Sequence, residues 1–312
     1  MGHDLYWGMP VILYLFMGGV GAGAVIVSGH VYHLAGSGSF GFRVARYGAL
    51  IAPLPVMLGT ALIIWELGRM YRVANLFKVV NLSPMNIGSW LLFFFIFLTT
   101  AYAISFLPWF SKPGDKWEPV RKTLAWACVP VGYGVAVYTG IMLGATPGRP
   151  FWNSSVLPFL FLLSALSGGI ASIVLASALF HKPGTPEEER EFHEGSFLLV
   201  SWDTLLIALE LVSLFVFVIF AYLTVESARA AISLILADGA LVVEFWGGVV
   251  MVALIIPLLA YLPLIAPTLM YGRQFKARKA IEIFVPICIL TGGFILRYLV
   301  VVAGQVSHPV GI

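Results

Sequence analysis

Pro10–Val27 reads PVILYLFMGGVGAGAVIV, with no charge and with Tyr14 as the only side chain that carries a strong hydrogen-bonding group. About 20 apolar residues cross a bilayer as a helix, and a backbone in lipid has to pair within its own segment. The stretch is therefore the core of a transmembrane helix. Gly18, Gly19, Gly21 and Gly23 give it a face that a neighbouring helix can approach closely. The stretch recurs: Pro158–Leu175, PFLFLLSALSGGIASIVL, aligns with it without gaps at an offset of 148, small residues on small. Two later segments, VPVGYGVAVYTG from Val129 and VPICILTGGFIL from Val285, share a Val-Pro start and a glycine-rich continuation. The pattern predicts an all-α integral membrane protein made of two four-helix bundles in a parallel internal repeat, residues 1–150 and 151–312. A chance likeness between apolar helices is the competing explanation.

Composition agrees with the membrane assignment. Of 312 residues, 60% are hydrophobic and 11% charged, with a mean hydropathy of +0.96. The longest polar stretch, about Phe180 to Gly195, has the length of a loop. The first apolar run lacks a basic region before it and a small-residue cleavage site, so it reads as a retained span rather than a removable signal peptide. A net charge of +3 gives no reason to expect nucleic acid as a partner. Cys128 and Cys288 each sit in an apolar run, and two thiols cannot supply the four ligands of an iron–sulfur cluster.

Eight spans fit, at roughly 10–35, 47–71, 89–110, 123–145, 157–180, 197–224, 241–268 and 281–305. Loop cations set their orientation. On one side fall Arg43, Arg46, Lys112, Lys116, Arg121, Lys122, Lys182, Arg190, Arg273, Lys276, Arg278 and Lys279; on the other, only Arg72, Lys78, Arg149 and Arg229. The asymmetry predicts a multi-pass membrane protein with both termini outside.

Charges inside spans cost about 2.5–3.5 kcal/mol each at a helix centre even on a mild insertion scale. Glu66 and Arg69 are three apart near the outer end of the second span and can pair. Asp203 and Glu210 share a face of the sixth span, and Arg297 lies in the outer half of the eighth. Glu244 and Glu282 begin spans and read as helix-end residues snorkelling to water. His30 and His33 end the first span, and no other span has an interior histidine to serve as a second axial ligand, which disfavours a haem-bearing bundle.

Val135–Asn153, VAVYTGIMLGATPGRPFWN, ends the fourth span with one phenol, Tyr138, about two turns below the surface. Arg149, Trp152 and Asn153 follow on a polar tip. Tyr138 needs a hydrogen-bond partner at that depth. The tip makes either the rim of a small pocket or a simple interfacial turn with belt aromatics.

With these residues in place the chain resembles the NrfD-like family, the membrane subunits of polysulfide reductase and related respiratory complexes. The resemblance rests on YLFMGGVGAG, the YTG of the fourth span, RPFWN, SALSGG, the Asp203–Glu210 segment and LTGGFILRYLVVVAG, in that order across essentially the whole chain. It implies a quinone-binding subunit (menaquinone or ubiquinone as bound substrate) with no haem or iron–sulfur cluster of its own. It also implies a ferredoxin-like iron–sulfur partner on the outer face and, beyond it, a catalytic subunit that is a molybdopterin enzyme or a multihaem cytochrome. The family tyrosine that bonds the quinone corresponds to Tyr138. Some members add a first-helix His and Asn; this chain departs, offering Tyr14 alone in PVILY.

The expected quinone site is thus Tyr138, Tyr14, Glu66, Arg69 and Arg149, and the expected proton path is Glu66, Asp203, Glu210 and Arg297. A b-type haem anchor, a secondary transporter and a purely structural anchor are the rival readings; a transporter would show helix breaks at the midplane.

Overall fold

The computed structural model describes residues 7–35, 39–66, 73–78, 83–107, 116–181, 185–236, 239–272, 274–275 and 277–306. Eight helices are long and apolar enough to cross a membrane, and no strand occurs among the described residues. Arg69, with Arg72, Lys112, Lys182, Arg273, Lys276, His3 and His308, lies outside the described residues.

The first span is α1 (Met9–Ala35). The second is two helices, α2 (Ser39–Ile51) and α3 (Pro53–Glu66), joined at Ala52. Pro53 and Pro55 remove two backbone donors there, which bends the chain without ending the span. After the short α4 (Val73–Lys78), α5 (Pro84–Ile104) starts with the Ser83 side chain accepting from the Asn86 N–H and with proline in its first turn. The fourth and fifth spans are α6 (Glu118–Gly144) and α7 (Val156–Phe180).

The sixth span, α8 (Pro186–Leu223), begins eleven residues before the expected position 197. Thr185 caps it by accepting from the Glu188 N–H, and Glu187, Glu188 and Glu189 complement the positive end of the helix dipole. These polar first turns carry no hydropathy signal. An additional helix, α9 (Glu226–Leu236), buries Ala228, Ala231, Ile232 and Ile235 at helical spacing, and at eleven residues it is too short to register as a span.

The seventh span widens into π-helical pairing over Glu244–Ile255 and continues as α10 (Ile256–Tyr271). The Ile256 N–H reaches back five residues to Met251, immediately before Pro257, which brings no donor of its own. The widening starts at the first residue of the span and ends short of its middle, and the helix is not interrupted. The last span is α11 (Lys279–Val306).

The helices paired by the sequence repeat, α1 and α7, lie against each other at the centre. A Cβ on Gly23 would stand 1.8 Å from the Ala165 carbonyl oxygen, and one on Gly169 would stand 2.2 Å from the Gly23 carbonyl carbon. Only glycine allows backbones this close. One buried cluster gathers Ala22, Val25, Tyr32, Phe95, Phe106, Val135 and Ala165; a second gathers Ile207, Phe217, Tyr261, Leu299 and Val301 but also takes in Ile12, Tyr14 and Leu15 of α1. α1 therefore contributes its first turns to one core and its middle to the other.

Gly23→Ala and Gly169→Ala must push the two helices apart, an overpacking loss of about 1–3 kcal/mol. Each should lower the thermal unfolding midpoint of the detergent-purified protein by several degrees. Gly247→Ala, with no atom within 4 Å of the new carbon, should leave it unchanged. Equal shifts for all three would rule out the backbone contact as the stabilising feature.

Candidate functional site

The face where α1 begins and α11 ends, the terminal face, is closed by the α6–α7 turn. Phe151 and Trp152 are 1% and 2% exposed, so they are core residues of the turn rather than interfacial belt aromatics. The Trp152 indole donates to the Val300 carbonyl at 2.7 Å and stacks on Trp7 with ring centroids 5.0 Å apart. Gln305 accepts from the Trp7 N–H and donates to the Trp7 carbonyl. Arg149 donates to the Gln305 carbonyl, satisfying a helix-end acceptor of α11. The sequence places the Arg149 tip beside Tyr138 in the first half; the fold instead bonds its guanidinium to the last helix of the second half.

Below this clasp, Tyr138 on α6 is 7% exposed. Its ring fills the space left by the missing side chain of Gly88 on α5: a Cβ there would stand 2.0 Å from the phenol oxygen. The Tyr138 hydroxyl has no hydrogen-bond partner among the described residues, yet is not sealed from its surroundings. Tyr14, 2% exposed on α1, is near enough for the two phenols to interact electrostatically. Glu66 ends α3 as an exposed residue, its carboxylate beside Gly8. The structure thus puts Tyr14 and Tyr138 within electrostatic reach of each other, and leaves Glu66 and Arg149 at the edge of that face.

The second group of expected residues converges on α7. Asp203, fully buried, accepts from the Ser167 hydroxyl at 2.7 Å. One turn away, Ser164 accepts from Arg297 at 2.9 Å, and the Glu210 carboxyl faces the same hydroxyl. Arg297, 2% exposed, also donates to the carbonyls of Gly293 and Leu15 and lies 5.1 Å over the Phe161 ring. A Cβ on Gly19 would be 2.8 Å from its guanidinium, so the glycine makes room for it. Arg297 thereby joins the Glu210 side to the residue next to Tyr14. Ser164 and Ser167 escape a sequence reading in which SALSGG is a packing motif. Two hydroxyls three apart in an apolar helix, opposite carboxylates seven apart, are the signal that could have found them.

Three placements differ from the sequence expectation. Glu282, expected to snorkel, is 6% exposed, because its face of α11 is covered by α2, α7 and α8 residues around a small cavity. Glu244 is half-buried, with Oε2 lacking a partner among the described residues. Arg121, counted as a loop cation, lies in the first turn of α6 and is fully buried. It donates to the Tyr32 hydroxyl and the Ser105 carbonyl under the rings of Phe42 and Phe106. Its removal from the loop count leaves the charge asymmetry intact.

His30 bonds the Ile26 carbonyl through Nδ1 and meets Tyr133 edge-on, while His33 lies against Trp126. Among the described residues no three metal-ligating side chains cluster. An apolar groove of about 350 Å³ runs past His30, Tyr133, Leu166 and Trp202, far along α1 from Tyr14.

The clasp makes a stability prediction. Trp152→Phe removes the indole donor from the Val300 carbonyl, which keeps its place in the α11 helix, a loss of about 0.5–1.5 kcal/mol, whereas Trp65→Phe changes a residue that is 76% exposed. Differential scanning of the purified protein should show a lowered midpoint for the first alone; a tolerant Trp152→Phe would mean that the indole bond contributes nothing.

The family profile described as polysulphide reductase, NrfD matches residues 1–309. The chain is 28% identical to a polysulfide reductase chain of Wolinella succinogenes, over 97% of its own length and 95% of that relative. It is 26% identical to protein NrfD of Escherichia coli, over 82% and 84% respectively. A selenate reductase subunit of Mesobacillus selenatarsenatis is 23% identical, over 81% of this protein and 66% of that one. With eight helices among the described residues long and apolar enough to cross a membrane, and a family match that spans nearly its whole length, the chain belongs to the polysulphide reductase NrfD family of oxidoreductase-complex membrane subunits.

Proposed function

We propose that this chain is the quinone-reactive subunit of a respiratory oxidoreductase complex. A menaquinone or ubiquinone headgroup is held near the terminal face, and its electrons are exchanged with a ferredoxin-like iron–sulfur protein docked there. A catalytic subunit, a molybdopterin enzyme or multihaem cytochrome, lies beyond that protein. The relatives from polysulfide and selenate reductases support a place in such a complex.

The observation that carries the reading is the Tyr138 hydroxyl. It is a donor at membrane depth, fixed by Gly88, with no protein partner among the described residues. The hydroxyl is open on one side, so a quinone carbonyl could reach it and accept its hydrogen bond. Tyr14 supplies a second hydroxyl. Glu66, exposed at the end of α3 and near Arg69 in sequence, passes a proton to water in this reading. Arg149 holds the roof of the site through its bond to α11.

In the second half, taken as a four-helix unit of residues 151–312 beside one of residues 1–150, Asp203, Glu210 and Arg297 with the α7 serines form a proton path. Mid-membrane carboxylates at such cost call for a use. The loop cations favour an inner-membrane orientation with both termini outside.

Tyr138→Phe keeps the ring and removes the donor, so quinol turnover should fall about three- to a hundredfold, as expected for a lost hydrogen bond of about 0.5–3 kcal/mol. The complex should still assemble. Unchanged kinetics in an assembled complex would falsify this placement. Glu210→Gln should preserve quinol turnover while reducing linked proton movement; if neither changes, Glu210 is structural. For orientation, Gly148→Cys on the exposed α6–α7 turn should react with an impermeant thiol reagent in whole spheroplasts, and Glu187→Cys should not. The native cysteines are buried and give little background. The reverse labelling would invert the topology.

A further inference from the structure

The path through Asp203, Glu210 and Arg297 stops inside the protein, and the way to the face opposite the termini is marked by three buried atoms. Asp203 Oδ2, the Tyr261 hydroxyl and Glu282 Oε1 all lack a hydrogen-bond partner among the described residues. Tyr261, 1% exposed on α10, is within electrostatic reach of both Asp203 and Glu282. Leaving a buried polar atom unsatisfied costs about 1–3 kcal/mol, and such atoms in folded proteins are normally bridged by ordered water.

The Glu282 carboxyl also borders a small cavity with Arg43, Ser177 and Ser196, which leaves about 10 Å³ for the centre of a water molecule. That is the lower limit for holding one. Around this cavity the charged and titratable groups converge from four helices. Arg43 comes from α2, with Nη1 unpartnered among the described residues and its guanidinium over the Phe192 ring. His181 follows α7 and stacks on Phe192. Burial and the nearby Arg43 hold the His181 imidazole below the usual histidine range. Glu188 and Glu191 belong to α8, and Lys279 lies one turn before Glu282 on α11.

We propose that Tyr261 and Glu282 are the inner leg of the proton path, carrying protons between Asp203 and the opposite face through a one-water mouth at Glu282, Arg43, Ser177 and Ser196. This rests on the second-half path proposed above. Glu282 exchanges a proton with water at the mouth. The Tyr261 hydroxyl accepts a proton from one side as it gives its own to the other, so the phenol is unchanged after each transfer. Asp203 takes up the proton and hands it toward Ser167 and Glu210. No electrons move along this leg. Nothing in the packing demands these polar groups: Tyr261 could be phenylalanine and Glu282 glutamine with the same shape.

The test uses the whole complex in vesicles with the terminal face outward and pyranine inside. Long-tail menaquinol in the bilayer is the donor and impermeant ferricyanide the acceptor, with the protein-free rate subtracted and valinomycin present to collapse the potential. Menaquinol gives up two electrons to two ferricyanide ions, and its two protons leave on the outside. Any change of interior pH is therefore carried by a path across the protein. In Tyr261→Phe and Glu282→Gln the interior pH change per electron should drop at least tenfold, while menaquinol oxidation stays within twofold of the wild type. Glu282→Asp should restore part of it. Because the ratio is taken per electron, it reports only on assembled, active complex. If both variants keep the wild-type ratio and Glu210→Gln loses it, the inner leg is wrong and the second-half path stands. If Glu210→Gln also keeps it, or the wild type shows no interior change, both fall.

Discussion

The backbone contact between α1 and α7 is the constraint on which the remainder depends. Gly23 and Gly169 allow the two helices to touch where any side chain would hold them apart. In lipid there is no hydrophobic drive between apolar helices, so packing of this closeness is itself a main source of helix association. With α1 and α7 fixed, Ser164 and Ser167 face α11 and α8. The turn after α6 then meets the end of α11 through Trp152 and Arg149.

Arg297 is the second organising element. A guanidinium buried at this level is tolerated because every direction offers it something: a serine hydroxyl, two backbone carbonyls and an aromatic face. Its bond to the Leu15 carbonyl crosses from the last helix to the first, next to Tyr14. The proposed quinone site and the buried carboxylates are thus linked by one rigid cation.

Much of this is legible in the sequence. Hydropathy yields eight spans because each helix crossing lipid must be continuous and apolar, and the gapless repeat of Pro10–Val27 in Pro158–Leu175 points to the two helices found in contact. What hydropathy cannot register is polar structure at span ends. The capped first turns of α8, the eleven-residue α9 and the two-piece second span are missed or misplaced for that reason. Arg121 and Glu282 look like surface charges in sequence because a charge near a span end normally reaches water; their burial depends on what other helices place around them. Arg149 is close to Tyr138 in sequence, whereas the fold turns it onto α11. Tyr138 stands out from its depth in an apolar helix, but Gly88, which seats its ring, is fifty residues away and can be paired with it only in three dimensions.

The most direct measurement is a structure of the chain with its iron–sulfur partner and a bound short-tail menaquinone. The predicted result is a quinone oxygen about 2.5–3.0 Å from the Tyr138 hydroxyl, with the ring beside Tyr14 under the Trp152 clasp. A quinone seated instead in the groove between His30, Tyr133 and Trp202, with the Tyr138 hydroxyl still unengaged, would contradict it.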